Sequence, residues 1–337
     1  EHCEDTNRPG SSGVGPHALN KIGGRRISAA EAWLTPEVRR RENLMIRDET
    51  LVRRLWMDGD RARGIEVRSG NDTETIAAGE IVLCAGAIHT PGILLRSGIG
   101  PREDVERLGV EPTVEHPNVG SRLLDHPGVA IFFWPKWGSG TSREDDLIQT
   151  VCRFSSGTAG LSNDLLMQPG SAVPLPRISL PLVSIMLALG KPRSTGDLHF
   201  DSLDPEAEPR IEPKLLEHPE DRAVAVDGLR RAFELSRSRA ARDMVRVVWP
   251  PVWELRDEGR LRGRVRSICD SGYHPCGTVP MGGEEDPRAA CDGDGRLRRT
   301  RNLRIADASL MPTIPSANIH LSVLMLAERI AGWVGED

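Results

Sequence analysis

The chain has 337 residues, a length that predicts about two domains with a sizeable core. Its 49 acidic residues outnumber 44 lysines and arginines, so the formal charge of -5 excludes a global basic field for nucleic acid. No apolar run reaches the ~20 residues of a membrane helix, so we expect no membrane span. The six cysteines form no CxxC pair, which argues against a zinc ribbon and predicts a reducing, cytoplasmic setting without a bound metal.

The first part of the chain predicts a loop followed by short strands. Residues 1–24 are rich in Gly, Pro and Ser and predict an extended loop. Ser28 and Glu31 have the spacing of a capping box, which opens a short helix that ends near Pro36. Apolar, strand-like segments follow at 43–46, 51–57, 63–68 and 73–77. Asp58-Gly59 between the second and third segments predicts a hairpin turn.

A buried strand then runs directly into a turn and a helix. Residues 80–84 (EIVLC) form a short apolar run, Ala85-Gly86-Ala87 makes the turn, and a helix is predicted from about Thr90 to Ser97. A doubly wound sheet has this order at the edge where its ligand binds. We therefore expect part of a parallel sheet with a ligand edge near Gly86.

The second half predicts a different architecture before it returns to mixed α/β structure. A helix is predicted over 219–238 with Val226, Leu229 and Phe233 on one stripe, a strand over 302–306, and a final helix over 317–334. A mostly antiparallel sheet is predicted from the segments 129–134, 148–154, 178–187 and 197–200. The predicted fold class is α/β (α+β), with an antiparallel domain inserted into an incomplete doubly wound one.

The last helix is the first candidate site. Ser316 is a suitable N-cap, Asn318 and His320 fall in the first turn, and the helix body is apolar on nearly all sides. Such a helix is expected to be buried, and its N-terminus would suit a ligand that develops negative charge. The segment alone favours a simpler interpretation, in which Asn318 and His320 only satisfy the cap of a core helix.

His274 is the second candidate. It lies in a loop between Tyr273, the only tyrosine, and Pro275, which restrict its conformation. A histidine with the ordinary pKa of about 6.5 acts as a base or an acid at neutral pH. Taken alone, a loop histidine is more often a surface or hydrogen-bonded residue.

Five segments together resemble the glucose-methanol-choline (GMC) family of flavin oxidoreductases. Residues 86–100 resemble the second signature of the family, and 118–127 (NVGSRLLDHP) resembles its VGxxLxDHP segment. Residues 273–278 (YHPCGT) with Met281-Gly282 resemble HPxGTxxMG. The other two are 24–30 and a closing block made of 303–312, 314–318 and 327–329, and the matching segments run in the expected order over nearly the whole chain.

This resemblance implies a fold, a cofactor and a reaction. The expected fold is an incomplete FAD-binding Rossmann-like domain interleaved with a substrate domain. The expected reaction oxidises a small alcohol by removing its hydroxyl proton and transferring a hydride to the flavin N5. The expected domain limits are 1–40 for a linking segment, 41–127 for part of the FAD-binding domain, 128–262 for the substrate domain and 263–337 for the return to the FAD-binding domain.

The resemblance also assigns residues to roles. His274 is expected to be the base and Asn318 its hydrogen-bonding partner, while His320 is a second candidate for that partner role. Asn318 also lies in a position expected to contact the cofactor, and the Asp125-His126 pair is expected to brace the domain junction. The other residues expected to bind FAD are Val52, Ala85, Gly86, Asp307 and Ala308.

One family feature has no counterpart in the sequence. GMC enzymes begin with a strand, a GxGxxG turn and a helix that hold the FAD pyrophosphate, and no GxGxxG occurs among these residues. The segment that carries it is expected to precede Glu1 or to belong to a separate chain. Two alternatives therefore stay open: a non-redox hydroxynitrile lyase on the same scaffold, and an inactive piece that needs an N-terminal half. The sequence does not indicate which alcohol or electron acceptor is used.

Overall fold

The computed structural model describes residues 1–136, 138, 146–171 and 182–335. The strands in these ranges are β1 (Gly13–Pro16), β2 (Lys21–Ile22), β3 (Arg25–Arg26), β4 (Thr50–Asp58), β5 (Arg61–Ser69), β6 (Asp72–Ala77), β7 (Ile81–Leu83), β8 (Ile99–Gly100), β9 (Val114–Glu115), β10 (Pro127–Pro135), β11 (Thr150–Phe154), β12 (Leu165–Gly170), β13 (Val183–Leu189), β14 (Asp197–His199), β15 (Arg210–Glu212), β16 (Val245–Trp249), β17 (Asp270–Ser271) and β18 (Leu303–Ile305).

The α-helices in the same ranges are α1 (Ala29–Trp33), α2 (Pro36–Arg39), α3 (Gly86–Arg96), α4 (Arg102–Arg107), α5 (Pro219–Ser236), α6 (Arg239–Met244), α7 (Val252–Leu255), α8 (Glu258–Arg264) and α9 (His320–Val334). Two 3-10 turns add Val265–Ile268 and Ala308–Leu310. Within the described ranges, no helix has both the length and the apolar composition that a bilayer crossing requires.

A large antiparallel sheet forms one half of the molecule. Its strands run in the order β1-β11-β12-β13-β10-β16, and β17 pairs with the start of β10. Val129, Ile131 and Phe133 alternate along β10 towards a core that also contains Leu229 and Phe233 of α5. Burial of alternate residues on one strand face is what the period of a β-strand predicts. The predicted antiparallel sheet and the apolar stripe of α5 are both confirmed.

The membership of this sheet differs from the sequence prediction. Strands β1, β12, β16 and β17 were missed. β1 contains two glycines and a proline, and five of the six β12 residues are buried, without alternation. Residues 197–200 were placed in this sheet, but β14 pairs with β15 in a separate hairpin. The predicted strand at 178–187 is observed as β13 from Val183, and 178–181 lie outside the described residues.

The other half contains a parallel pair of strands beneath α3. β7 and β18 pair in parallel, with Ile81 opposite Leu303, and their side chains share a core with Ile93 and Leu94 of α3. The meander β4-β5-β6 packs beside this unit and confirms the predicted hairpins. The helix α3 begins at Gly86, earlier than the predicted Thr90. The capping box of α1 is present as predicted.

Two predictions about apolar segments are wrong. Residues 43–46 do not form a strand, and Met45 is 83% exposed, because no neighbouring strand of the described chain pairs with this segment. The last helix is not buried on all sides: Ile330 is its only buried residue among those described, and Leu321 and Met325 are 49% and 59% exposed. An apolar composition favours burial, but only a neighbouring element can provide it.

The start of the last helix also differs from the prediction. α9 begins at His320, and its N-cap is Ile319, which makes no side-chain capping bond. Ser316 is therefore not the N-cap; its hydroxyl instead accepts a hydrogen bond from Arg153 at 3.0 Å. Asn318 lies before the helix, so its side chain is free of any capping role. The simpler interpretation of Asn318 and His320 as cap residues is wrong.

Candidate active site

The Asp125 carboxylate holds the loop that carries His274. Its Oδ1 accepts the backbone N–H of His126 at 2.7 Å and that of His274 at 3.0 Å, and its Oδ2 accepts the Ser271 hydroxyl. The Gly272 N–H donates to the His126 carbonyl at 2.8 Å. A Cβ on Gly272 would lie 2.7 Å from that same oxygen, so only glycine fits there without a backbone shift. One buried carboxylate thus fixes the loop against the start of β10.

His274 and Asn318 meet although 44 residues separate them. His274 Nε2 lies 3.1 Å from Asn318 Nδ2, and Asn318 Oδ1 accepts from Gln168 Nε2 at 3.4 Å. Gln168 lies in β12, the strand that the sequence did not predict. The structure therefore brings together the two side chains that the resemblance paired, and burial lowers the pKa of His274 below its ordinary value.

His126 is a site residue whose contact with His274 the sequence did not reveal. The two rings are edge to face, with their Nδ1 atoms 2.9 Å apart, and His126 Nε2 lies 3.0 Å from the Pro315 carbonyl oxygen. Burial and the neighbouring His274 lower the pKa of His126 to about 4. The only available signal was the position of Asp125-His126 in a family segment, which we assigned to the domain junction.

Asn318 also lines a cavity of about 460 Å³, together with His320, His17, Asn20 and Arg153. His320 Nε2 lies 2.8 Å from Asn20 Nδ2. His320 thus faces the same cavity as Asn318, but it makes no hydrogen bond to His274 within the described chain. A larger cavity of about 650 Å³ lies between β4, β5 and the end of α3, and none of the candidate catalytic residues lines it.

The predicted cofactor residues fall into two places. Ala85 and Gly86 follow β7, and Asp307 and Ala308 follow β18, so all four lie at the carboxyl ends of the parallel pair. The buried Asp307 Oδ2 accepts the Gly86 N–H at 2.9 Å and the Thr90 hydroxyl at 2.6 Å. Val52 lies elsewhere, on β4, where it packs against the core beneath α3.

The carboxyl edge of β7 and β18 has an uncovered backbone at Ala85 and Gly86. Ala85 is exposed, and a Cβ on Gly86, whose φ is +82°, would meet no atom within 4 Å. Open sheets bind dinucleotides outside the carboxyl ends of their parallel strands, at the N-terminus of the following helix. The Gly277 N–H donates to the Ala308 carbonyl at 3.0 Å, which connects this edge to the loop of His274.

The chain is similar to known oxidoreductases over most of its length. Two family models described as GMC oxidoreductase match residues 3–128 and 192–327. The chain is 34% identical to 5-(hydroxymethyl)furfural oxidase of Methylovorus sp. (strain MP688), covering 98% of this chain and 64% of that protein. It is 27% identical to an oxygen-dependent choline dehydrogenase of Rhizobium rhizogenes, in an alignment that covers 99% of this chain and 65% of that protein.

Solved structures extend the comparison to the fold. Pyridoxine 4-oxidase from Mesorbium loti superposes with a TM-score of 0.87 at 28% identity, covering 97% of this chain and 65% of that one. The chain thus spans somewhat less than two thirds of the length of these relatives. The two family models together cover more than half of the chain and include both His126 and His274. The chain belongs to the GMC oxidoreductase family.

Proposed function

We propose that this chain carries the catalytic residues of an FAD-dependent enzyme that oxidises the CH–OH group of a small alcohol. The observation that carries the proposal is the 3.1 Å contact between His274 Nε2 and Asn318 Nδ2, two polar groups from distant segments that converge beside a cavity. Membership of an oxidoreductase family supports it. None of the relatives named above is described as a lyase, and no observation favours the hydroxynitrile lyase alternative.

His274 is the base in this proposal. Because burial lowers its pKa, its imidazole is neutral at pH 7 and has a nitrogen lone pair available for the substrate hydroxyl proton. The Asn318 amide donates to the same substrate oxygen and holds the alcohol in place, replacing the hydrogen bond that it makes to His274. Bound FAD would supply the redox chemistry by accepting the hydride. His320 lines the cavity and would contact the bound molecule from the other side.

The residues at the carboxyl edge fit the proposed cofactor. Ala85 and Gly86 offer an uncovered backbone, and Ala308 lies beside them. The Asp307 carboxylate already accepts the first N–H of α3, so its role is to hold this turn in shape while the open side of Gly86 faces the nucleotide. Val52 would meet the adenine through its backbone. The phosphate-binding turn would come from a further segment or chain.

The six cysteines are all free in the structure, which supports a reducing, cytoplasmic location as part of this proposal. The partner in this proposal is a small-molecule alcohol.

The proposal is tested by separating cofactor binding from flavin reduction. His274→Ala should lower the rate of flavin reduction by an alcohol about 10²–10⁴-fold, the range for loss of a general base, and leave FAD affinity within a few fold. His199→Ala, in β14 and outside the cavity that Asn318 lines, is the matched control and should change neither quantity. Equal losses of affinity and rate in His274→Ala, or an unchanged rate, would refute the proposal.

A further inference from the structure

A continuous row of side-chain hydrogen bonds runs through the candidate site. It begins at the Pro315 carbonyl, passes through His126 and His274, and reaches Asn318 with steps of 3.0, 2.9 and 3.1 Å. It continues through Asn318 Oδ1 to Gln168. One hydrogen bond joins each member of this row to the next. The position of every hydrogen in the row therefore follows from which atoms are able to donate.

The Pro315 carbonyl sets the direction of the row. A carbonyl oxygen only accepts hydrogen bonds, so His126 Nε2 must carry a hydrogen. The neutral ring of a histidine has one N–H, so His126 Nδ1 is then an acceptor. Its partner at 2.9 Å is His274 Nδ1, which must donate. A neutral His274 with a hydrogen on Nδ1 has none on Nε2, and that bare nitrogen faces the Asn318 amide.

We propose that His126 is the positioning residue of the site: by accepting a hydrogen bond from His274 Nδ1, it holds His274 in the tautomer whose Nε2 is unprotonated and faces Asn318. This inference rests on the proposed function for its chemical meaning, since a general base needs its lone pair on the side of the substrate. A hydrogen on His274 Nε2 instead would leave the base without a lone pair on the side of Asn318.

The surroundings of His126 keep its ring neutral, which this assignment requires. The Asp125 carboxylate precedes His126 in the chain, but its oxygens accept the His126 and His274 backbone N–H groups and the Ser271 hydroxyl, not the rings. His126 is 1% exposed; its Nε2 faces the Pro315 carbonyl, its Nδ1 faces His274, and the Gly190 backbone also hydrogen-bonds its ring. A second hydrogen on His126 would give it a buried charge with no anion against the ring.

The test measures the tautomer directly and needs no turnover. In protein labelled with ¹⁵N-histidine, long-range nitrogen–proton correlation spectra distinguish a ring nitrogen that carries hydrogen from one that does not. Assignment of His274 comes from the spectrum of His274→Ala. In the unmodified chain at pH 7.5, the hydrogen of His274 is expected on Nδ1. A predominant hydrogen on Nε2 in the unmodified chain would overturn the proposal without any variant.

Two variants separate positioning from mere filling of space. His126→Gln places an amide where Nε2 was, so it keeps a donor to the Pro315 carbonyl but offers His274 Nδ1 no acceptor. The tautomer of His274 with its hydrogen on Nδ1 should then no longer predominate. His126→Asn places its amide oxygen near the position of Nδ1 and should retain that form. His116→Gln is the control, because His116 is also buried, with Nε2 3.1 Å from the Ala290 carbonyl, but does not contact His274.

The outcomes are distinct from those of the activity test. Retention of the Nδ1–H form in a folded His126→Gln chain, or equal effects of His126→Gln and His126→Asn, would overturn the positioning role. An unchanged reduction rate in His274→Ala combined with the expected tautomers would refute the proposed function and leave this inference in place.

Discussion

Acidification should destabilise this protein through His126, and the size of the effect follows from its pKa. The pKa of His126 falls from 6.5 to about 4 in the folded chain, so the unfolded chain binds a proton more readily between those values. The free energy of unfolding therefore decreases as the pH falls through that window. At about 1.4 kcal/mol per pKa unit, the full effect is about 3 kcal/mol, of which about 2 kcal/mol is lost between pH 7 and pH 5.

Urea titrations at pH 7 and pH 5 measure this loss. Replacing His126 by Gln removes the titrating group, so the variant should lose about 2 kcal/mol less than the unmodified chain between the two pH values. His116 provides an independent check, because burial also lowers its pKa to about 4. His116→Gln should therefore reduce the loss of unfolding free energy between pH 7 and pH 5 by a similar amount. The two reductions in this loss should add in the double variant. A His126→Gln chain with the same pH dependence as the unmodified protein would refute the reasoning.

Two further substitutions test the framework of the site. Gly272→Ala brings a Cβ within 2.7 Å of the His126 carbonyl oxygen and should lower the free energy of unfolding in urea by about 1–3 kcal/mol. Gly283→Ala, whose Cβ would have no atom within 4 Å, should lower it little. Similar decreases in the two variants would contradict the packing argument. Asp307→Ala leaves the first N–H of α3 without its acceptor and should cost about 1–3 kcal/mol while weakening FAD binding in a titration. Asp221→Ala, a buried carboxylate in the other half, should destabilise the chain and leave FAD affinity unchanged.

Local signals in the sequence predicted the elements that depend on a few neighbouring residues. The capping box at Ser28 and the hairpin at Asp58-Gly59 were both confirmed, because their hydrogen bonds join residues only a few positions apart. The helix α5 was confirmed since its apolar stripe repeats within the helix itself. The run into Gly86 also indicated the parallel pair, and the motifs it belongs to identified the family.

Contacts between distant segments were decided by the tertiary structure alone. His126 and His274 lie 148 positions apart, and Gln168 and Asn318 lie 150 apart, so no periodicity joins them. The same reason explains why β1 and β12 were missed: their strand character comes from the neighbours that pair with them. The exposure of Met325 on α9 likewise depends on which elements lie against the helix.

The amino-acid order by itself thus determined the local elements, the family and the identities of His274 and Asn318 as candidates. Only the folded chain decided that His126 touches His274 and that His320 turns to Asn20. The physical reason is that a side chain's hydrogen-bond partner is whichever polar group the fold brings within about 3 Å, and chain spacing does not encode that distance.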